Sequence, residues 1–289
     1  MLPASVYATQ AVHGLVYGML LFLVASGLTL VFGMMRILNM AHASFYMLGA
    51  YFAYSLCGVT GSFWVALVLA PLFVGLLGGL VERYLLRRMA ERGHVTELLL
   101  TFGLFYMVGE AVLWIWGSFA LQVPAPAVLT GSLPLFGAQY PVYRLFILGF
   151  SILVCAGLAY VLLRTRTGII IRSAVSDSDM VSALGINASL VRQLVFASGA
   201  ALAALAGVIA APFLQADPTM GAAILVDAFI VVVVGGFGSL AGALMAALLL
   251  GQLQSFGILF ISDYAMVFPF ALMVAVLVLR PRGLFGEAS

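Results

Sequence analysis

The fold class this chain predicts is an all-α, polytopic transmembrane helical bundle, and three observations predict it. The 289 residues are 65% apolar and only 8% charged. Segments such as 14–35 and 143–163 are apolar runs of about 20 residues, long enough to cross a ~30 Å hydrocarbon core as helix. The 31 glycines suit membrane helices better than soluble ones. A β-barrel would need alternating runs of roughly ten residues, and these are absent.

Charge placement orders the elements. All twelve basic residues are arginine, and ten fall in three groups: Arg83, Arg87, Arg88 and Arg92; Arg164, Arg166, Arg172 and Arg192; Arg280 and Arg282. The positive-inside rule puts all three groups in the cytoplasm. Arg144 stands alone beside loop 119–142, which carries four prolines and no charge and reads as external. These anchors predict crossings near 12–34, 43–60, 62–82, 96–118, 143–163, 190–212, 224–236, 240–261 and 264–280. The run 224–236 is short and reads as a half-helix, so the count is eight or nine, with the N-terminus outside and the C-terminus cytoplasmic. The opening "MLPASVYATQ" has no Lys or Arg, so the first apolar run is expected to stay as a membrane helix. Cys57 and Cys155 lie in apolar runs and read as packing residues. The longest polar stretch, 164–192, is too short for a soluble domain, so residues 1–289 form a single transmembrane domain.

Two segments interrupt the helical pattern. "GMMRILNMAHASFYMLGAY" (33–51) sets Arg36, Asn39 and His42 between apolar runs, predicting a broken helix near 33–43. "GGFGSLAG" (235–242) predicts a second break near 235–239, with Ser239 capping the next helix. Paired broken segments in two halves of a membrane protein point to a midplane pathway. Opened backbone must there be satisfied by protein or water, because lipid offers no partners. Asn39, His42 and Ser44, with Gly235, Gly236, Gly238 and Ser239, are therefore the candidate pathway residues. Two roles are open for Asn39 and His42: bonding the freed backbone, or lining the route. "GGFGS" is equally open as a tight turn or as an anion-binding helix N-terminus. Arg36, near the end of its crossing, is expected to snorkel to the surface. Small-xxx-small spacings at Gly75/Gly79, Gly199/Ala203/Gly207 and Gly238/Gly242 allow close helix contact.

The loop "RTRTGIIIRSAVSDSDMVSALGINASLVRQ" (164–193) is polar in an apolar chain. Ser176, Asp177 and Ser178 open a short helix as capping residues, acidic residues suit its first turn, and Gly185 stops it. A second helix enters the membrane after Asn187 or Ser189. The short helix reads as an interface connector or as a docking element for a soluble partner.

This loop resembles the coupling segment of ABC-importer permeases. "GLTLVFGMMRILNMAHASFYMLGAYFAY", "TRTGIIIRSAVSDSDMVSALGIN", "AFIVVVVGGFGSLAGALMAALLLG" and the ending "VLRPRGLFG" resemble the branched-chain (hydrophobic) amino acid permease family of high-affinity importers. The resemblance implies one of two transmembrane subunits in a bacterial inner membrane. It is paired with a second homologous permease, driven by two cytoplasmic ATPases that hold ATP-Mg, and served by a periplasmic substrate-binding protein. No cofactor in this chain and no nucleic acid are implied. The family's coupling motif falls on Asp179 through Gly185, with Asp179, Met180, Ala183, Gly185, Ile186 and Asn187 contacting the ATPase. The chain departs from the family where Asp179 replaces a common Glu and Met180 a common Ala. Ala43 and Ser44 replace a frequent Gly-Glu pair, Asp227 a frequent Lys and Gln254 a frequent Glu.

Two other classes compete. A self-sufficient secondary transporter of small polar solutes would use Glu110 or Asp227 as ion-coupling acids. An intramembrane serine protease would need a nucleophile turn with Gly after the Ser, but Leu240 and Ala241 follow Ser239. With no Lys the chain carries no GxxxxGK[ST] loop, so it is expected to be a transport subunit rather than an ATPase.

Overall fold

In a computed structural model, residues 3–90 and 92–286 are described. The first helices are α1 (Ala4–Met35), α2 (His42–Thr60) and α3 (Phe63–Val81), which runs through a π turn at Glu82–Leu86 into α4 (Arg87–Ala90). α5 (His94–Trp116) precedes a loop holding a hairpin of β1 (Ser132–Leu135) and β2 (Ala138–Pro141). α6 (Val142–Arg164), α7 (Arg166–Ser176) and α8 (Ser178–Ala183) lead to α9 (Ala188–Leu214). α10 (Met220–Gly235), α11 (Leu240–Phe260) and α12 (Phe268–Leu279) complete the chain.

Among the described residues, six helices are long and apolar enough to cross a membrane: α1, α3 with its extension, α5, α6, α9 and α11. The chain is thus an all-α polytopic bundle. α10 and α12 are apolar but shorter, with 16 and 12 residues. At 1.5 Å per residue they rise about 24 and 18 Å, less than a ~30 Å core. α1, with 32 residues, rises about 48 Å.

α1 is the central post. Its apolar window is 78% buried, against 11% for α5 and 17% for α6, which stand at the periphery. Around it lie α9, α11 and α10, with α2 and α3 packed on α9. Burial inside lipid brings no hydrophobic gain between helices, so these contacts rest on close packing of small residues. Gly27 of α1 faces Gly199 of α9, and a Cβ on Gly27 would stand 2.6 Å from the Gly199 carbonyl. A Cβ on Gly207 would collide with the backbone of Tyr46 in α2, and one on Gly49 with that of Ala204. Gly75 and Gly79 of α3 meet Ala197 of α9. The Gly199/Ala203/Gly207 spacing is thus the stripe on which α1 and α2 seat.

Composition did not reveal the hairpin in loop 119–142. Ser132–Leu135 pairs antiparallel with Ala138–Pro141, and Leu121 bridges Ala216 in the loop after α9. The second helix of loop 164–192, α7, was also unforeseen. Its run "RTGIIIRSAVS" places Ile170 and Ile171 toward the bundle, while Ile169, Arg172 and Ser173 are turned outward or half-exposed.

Gly207→Ala is expected to destabilise the bundle by about 1–3 kcal/mol, because no rotamer removes a backbone clash. Gly103→Ala on α5, where nothing lies within 4 Å of an added Cβ, is expected to be neutral or stabilising by up to about 1 kcal/mol. Thermal unfolding of the two variants in detergent compares them.

Candidate functional site

The first break is built by Asn39 and His42. α1 ends at Met35, and the next residue, Arg36, has a left-handed backbone (φ 54°) and an exposed side chain. The chain then turns back into the bundle. His42, the first residue of α2, donates from Nε2 to the carbonyl of Val24 at 2.9 Å. Val24 lies eleven residues before the end of α1, so α2 starts about 16 Å inward of that end. A helix N-terminus buried inside the bundle has free amides that the protein must bond. Asn39 answers this twice: its Oδ1 accepts from the Ala41 amide at 3.1 Å and its carbonyl from the His42 amide at 3.1 Å. The Thr101 hydroxyl of α5 accepts from the Met40 amide at 3.3 Å, and Ser44 donates to the Phe105 carbonyl at 3.4 Å.

Asn39 and His42 are buried, at 4% and 1% exposure. Gly27 leaves the room the imidazole needs, since a Cβ there would stand 2.9 Å from His42 Cε1. A carbonyl only accepts, so His42 Nε2 carries the proton and Nδ1 is left as an acceptor. That Nδ1 and the Asn39 Nδ2 are both buried without a partner. Backbone bonding and free polar capacity therefore coexist at this break.

The second break sits beside the first. α10 ends at Gly235, and Gly236 and Gly238 have φ of 99° and 81°, a region that glycine occupies without strain. Ser239 caps α11 by accepting from the Gly242 amide at 3.1 Å. Phe32 stacks on Phe237 with ring centroids 4.5 Å apart, and a Cβ on Gly33 would reach the Gly238 Cα at 3.8 Å. Residues 283–286 close over the end of α10: the Leu284 amide donates to Val234 at 2.8 Å and Phe285 to Gly235 at 3.1 Å. The end of α1 that opens the first break and the second break are thus neighbours at one end of the bundle.

The polar loop forms a separate, surface feature. Thr165 caps α7 and Asp177 caps α8, accepting from the Asp179 and Met180 amides at 3.1 and 2.9 Å. Of the three capping candidates at 176–178, Asp177 is the one used. α8 ends at Gly185 (φ 83°), and the Ile186 amide returns to the Val181 carbonyl at 3.2 Å. Asn187 caps α9, accepting from the Leu190 amide at 3.0 Å. Val181 is the one buried side chain of α8, while Asp179, Met180, Ala183 and Leu184 are exposed, Leu184 at 73%.

Beside this loop lies a network that sequence reasoning missed. Glu82, wholly buried in the π turn, accepts from Arg87 at 2.9 Å and Arg192 at 3.0 Å. Arg87 also donates to the Ser189 carbonyl at 3.1 Å. This ties the end of α3 to the start of α9, directly after α8. The signal was Glu82 at the head of a four-arginine segment that the positive-inside rule uses only as a topology marker. The other acids behave differently. Glu110 is exposed on the outer face of α5 with no ion pair among the described residues, and Asp227 accepts from Tyr17 at 2.6 Å. Arg144 and Tyr140 both reach the Nδ1 of His13. No cluster of three or more His, Cys, Asp or Glu residues suited to a metal occurs among the described residues.

By class this is a polytopic helical membrane protein with paired, adjoining helix breaks. A family model described as "Branched-chain amino acid transport system / permease component" matches residues 10–277, and the chain belongs to that family of ABC transporter permeases. It is 31% identical to the high-affinity branched-chain amino acid transport system permease protein BraD of Pseudomonas aeruginosa, over 97% of this chain and 96% of that one. LivH permeases of Salmonella typhimurium and Escherichia coli K12 are each 29% identical, with 97% and 96% coverage. Among solved structures, PsaBC from Streptococcus pneumoniae in complex with Fab aligns with a TM-score of 0.51, covering 93% of this chain and 91% of that one. At 12% identity that likeness is one of fold alone.

Glu82→Gln is expected to cost about 2–3 kcal/mol, the range for losing charged hydrogen bonds. The full cost of a broken buried pair is not expected, since the two arginines keep about a third of their side chains in solvent. Loss of thermal stability in detergent, larger than for Glu110→Gln, is the measurement.

Proposed function

We propose that this chain is the permease subunit of an ATP-driven importer and forms the translocation pathway for branched-chain or related amino acids. Its partners are a second homologous permease, two cytoplasmic ATPases carrying ATP-Mg and a periplasmic binding protein. The chain itself has no ATPase site. It lies in the bacterial inner membrane with eight or nine crossings, α2, α10 and α12 supplementing the six long helices, its N-terminus outside and its C-terminus in the cytoplasm.

One observation carries the coupling: the short helix α8, exposed along its length and pinned by Val181 alone. Such a helix offers Asp179, Met180, Ala183 and the Gly185–Asn187 turn to a soluble partner's groove. Closure of the ATPases would push α8, and the Glu82–Arg192 contact lies where that push enters α3 and α9. Rigid-body tilting of packed helices then opens the bundle to one side or the other. The pathway reading of Asn39, His42, Ser44, Gly235, Gly236, Gly238 and Ser239 is supported by the buried, unpartnered Asn39 Nδ2 and His42 Nδ1.

The test is co-purification of the tagged chain from its native membrane, with Gly185→Trp and Asp179→Arg as variants. A side chain at φ 83° strains the turn, and the Arg reverses charge in the first turn of α8. A soluble ATPase is expected with the parent chain and at least about tenfold less with either variant, a loss of roughly 1.4 kcal/mol or more in binding. If no ATPase appears and the purified chain alone moves solute in vesicles, the importer reading fails. Glu110 and Asp227 then become the coupling acids of a secondary transporter.

A further inference from the structure

A cavity of about 410 Å³ opens between α1, α6, α9 and α11, at the end of the bundle that carries the β-hairpin, away from α8. We propose that it is a binding site for a zwitterionic amino acid, with Arg144 taking the carboxylate and the Tyr17 and Gln254 oxygens, backed by Asp227, taking the ammonium. This deepens the amino-acid reading above and rests on it.

The geometry begins with two charges that lack partners. Arg144 NH1 donates to His13 Nδ1 at 2.6 Å, and its guanidinium lies 4.4 Å from the centre of the Phe213 ring. Those two contacts hold it against the bundle rather than letting it snorkel outward. No carboxylate pairs with it among the described residues. Asp227 is half-buried behind the opposite wall. Its Oδ2 accepts from Tyr17 at 2.6 Å and from Gln254 at a long 3.5 Å, and no cation pairs with it either. Both Tyr17 and Gln254 line the cavity.

The spacing of the two charges follows from α1. His13 and Tyr17 are four residues apart on this helix and stack on one face, about 5–6 Å from each other. Arg144 is held at the level of the first and Asp227 at the level of the second. Unpaired charge in an apolar bundle is costly and marks a site by default. A single small molecule bearing both opposite charges satisfies both groups at once, whereas an anion or a cation alone satisfies one. Arginine's remaining donors suit a carboxylate, for which its fork geometry is adapted. Leu20, Ile147 and Ile258 supply apolar wall for an aliphatic side chain. The volume fits the usual range for a small-molecule site.

The test uses vesicles carrying the assembled importer, in which Cys57 and Cys155 are replaced by Ala and Ile258→Cys reports labelling by a charged thiol reagent. Gln10→Cys, on the same cavity, is the second reporter. L-leucine is expected to slow labelling by about tenfold at ten times its half-protecting concentration. Leucinamide, without a carboxylate, and 4-methylpentanoate, without an ammonium, should each need about tenfold more, the loss of one charged contact. Arg144→Gln should abolish the preference for leucine over leucinamide, and Asp227→Asn that for leucine over 4-methylpentanoate. A merely structural role would weaken all three probes alike. Absence of protection by leucine at both reporters, or preferences unchanged in both variants, overturns the proposal. ATP-driven leucine uptake is read on the same vesicles. Uptake without protection removes this site and keeps the importer; protection without uptake keeps the site and removes the importer.

Discussion

Everything in this bundle is arranged around a helix that starts inside the bundle, where the protein must bond its first amides. α2 begins about 16 Å inside the end of α1, and its first amides would be orphans in hydrocarbon. Asn39, Thr101 and the Val24 carbonyl meet that demand from three different segments. Each of these partners imposes a condition on the fold. Val24 requires α1 to run on past the break, Thr101 requires α5 to stand beside it, and the His42 ring requires glycine at position 27. The long first helix, the close α1–α9 contact and the position of α5 are consequences of keeping one broken segment bonded.

Close approach does the rest. Helices in lipid gain little by hiding apolar surface from one another, so stable contact depends on how nearly their backbones can meet. α9 supplies a small-residue face along its whole length, and α1, α2 and α3 each set glycines against it. α11 does the same for α1 through Gly251, which meets the backbone at Gly14 and Gly18. α5, α6 and α12 make few such contacts and leave large apolar side chains outward, as lipid or a second subunit requires.

Charge is used sparingly and in two opposite ways. At the α8 end, Glu82 is enclosed and answered by two arginines, so its charge locks α3 to α9. At the hairpin end, Arg144 and Asp227 are held in place by neutral neighbours and left without counter-charges. The first arrangement is stable as it stands and suits transmission of force, whereas the second is complete only with something bound between the two groups.

Much was legible in the sequence. Apolar run length and arginine grouping determined the all-helical membrane class and the order of the helices. Glycine with Asn39 and His42 located one break, and "GGFGS" the other. Asp177 and Gly185 bounded α8. These are local signals, carried by a few consecutive residues, and local physics decides them. Only the tertiary structure decided that the two breaks adjoin through Phe32 and Phe237, that α7 precedes α8, and that Glu82 answers Arg192 across 110 residues of chain. It likewise decided that His13, Tyr17 and Arg144 line one cavity, with Asp227 bonded behind Tyr17. A charge in a sequence does not say which way its helix is turned or which distant residue stands opposite. That depends on helix rotation and packing, which are set by contacts among all the helices together.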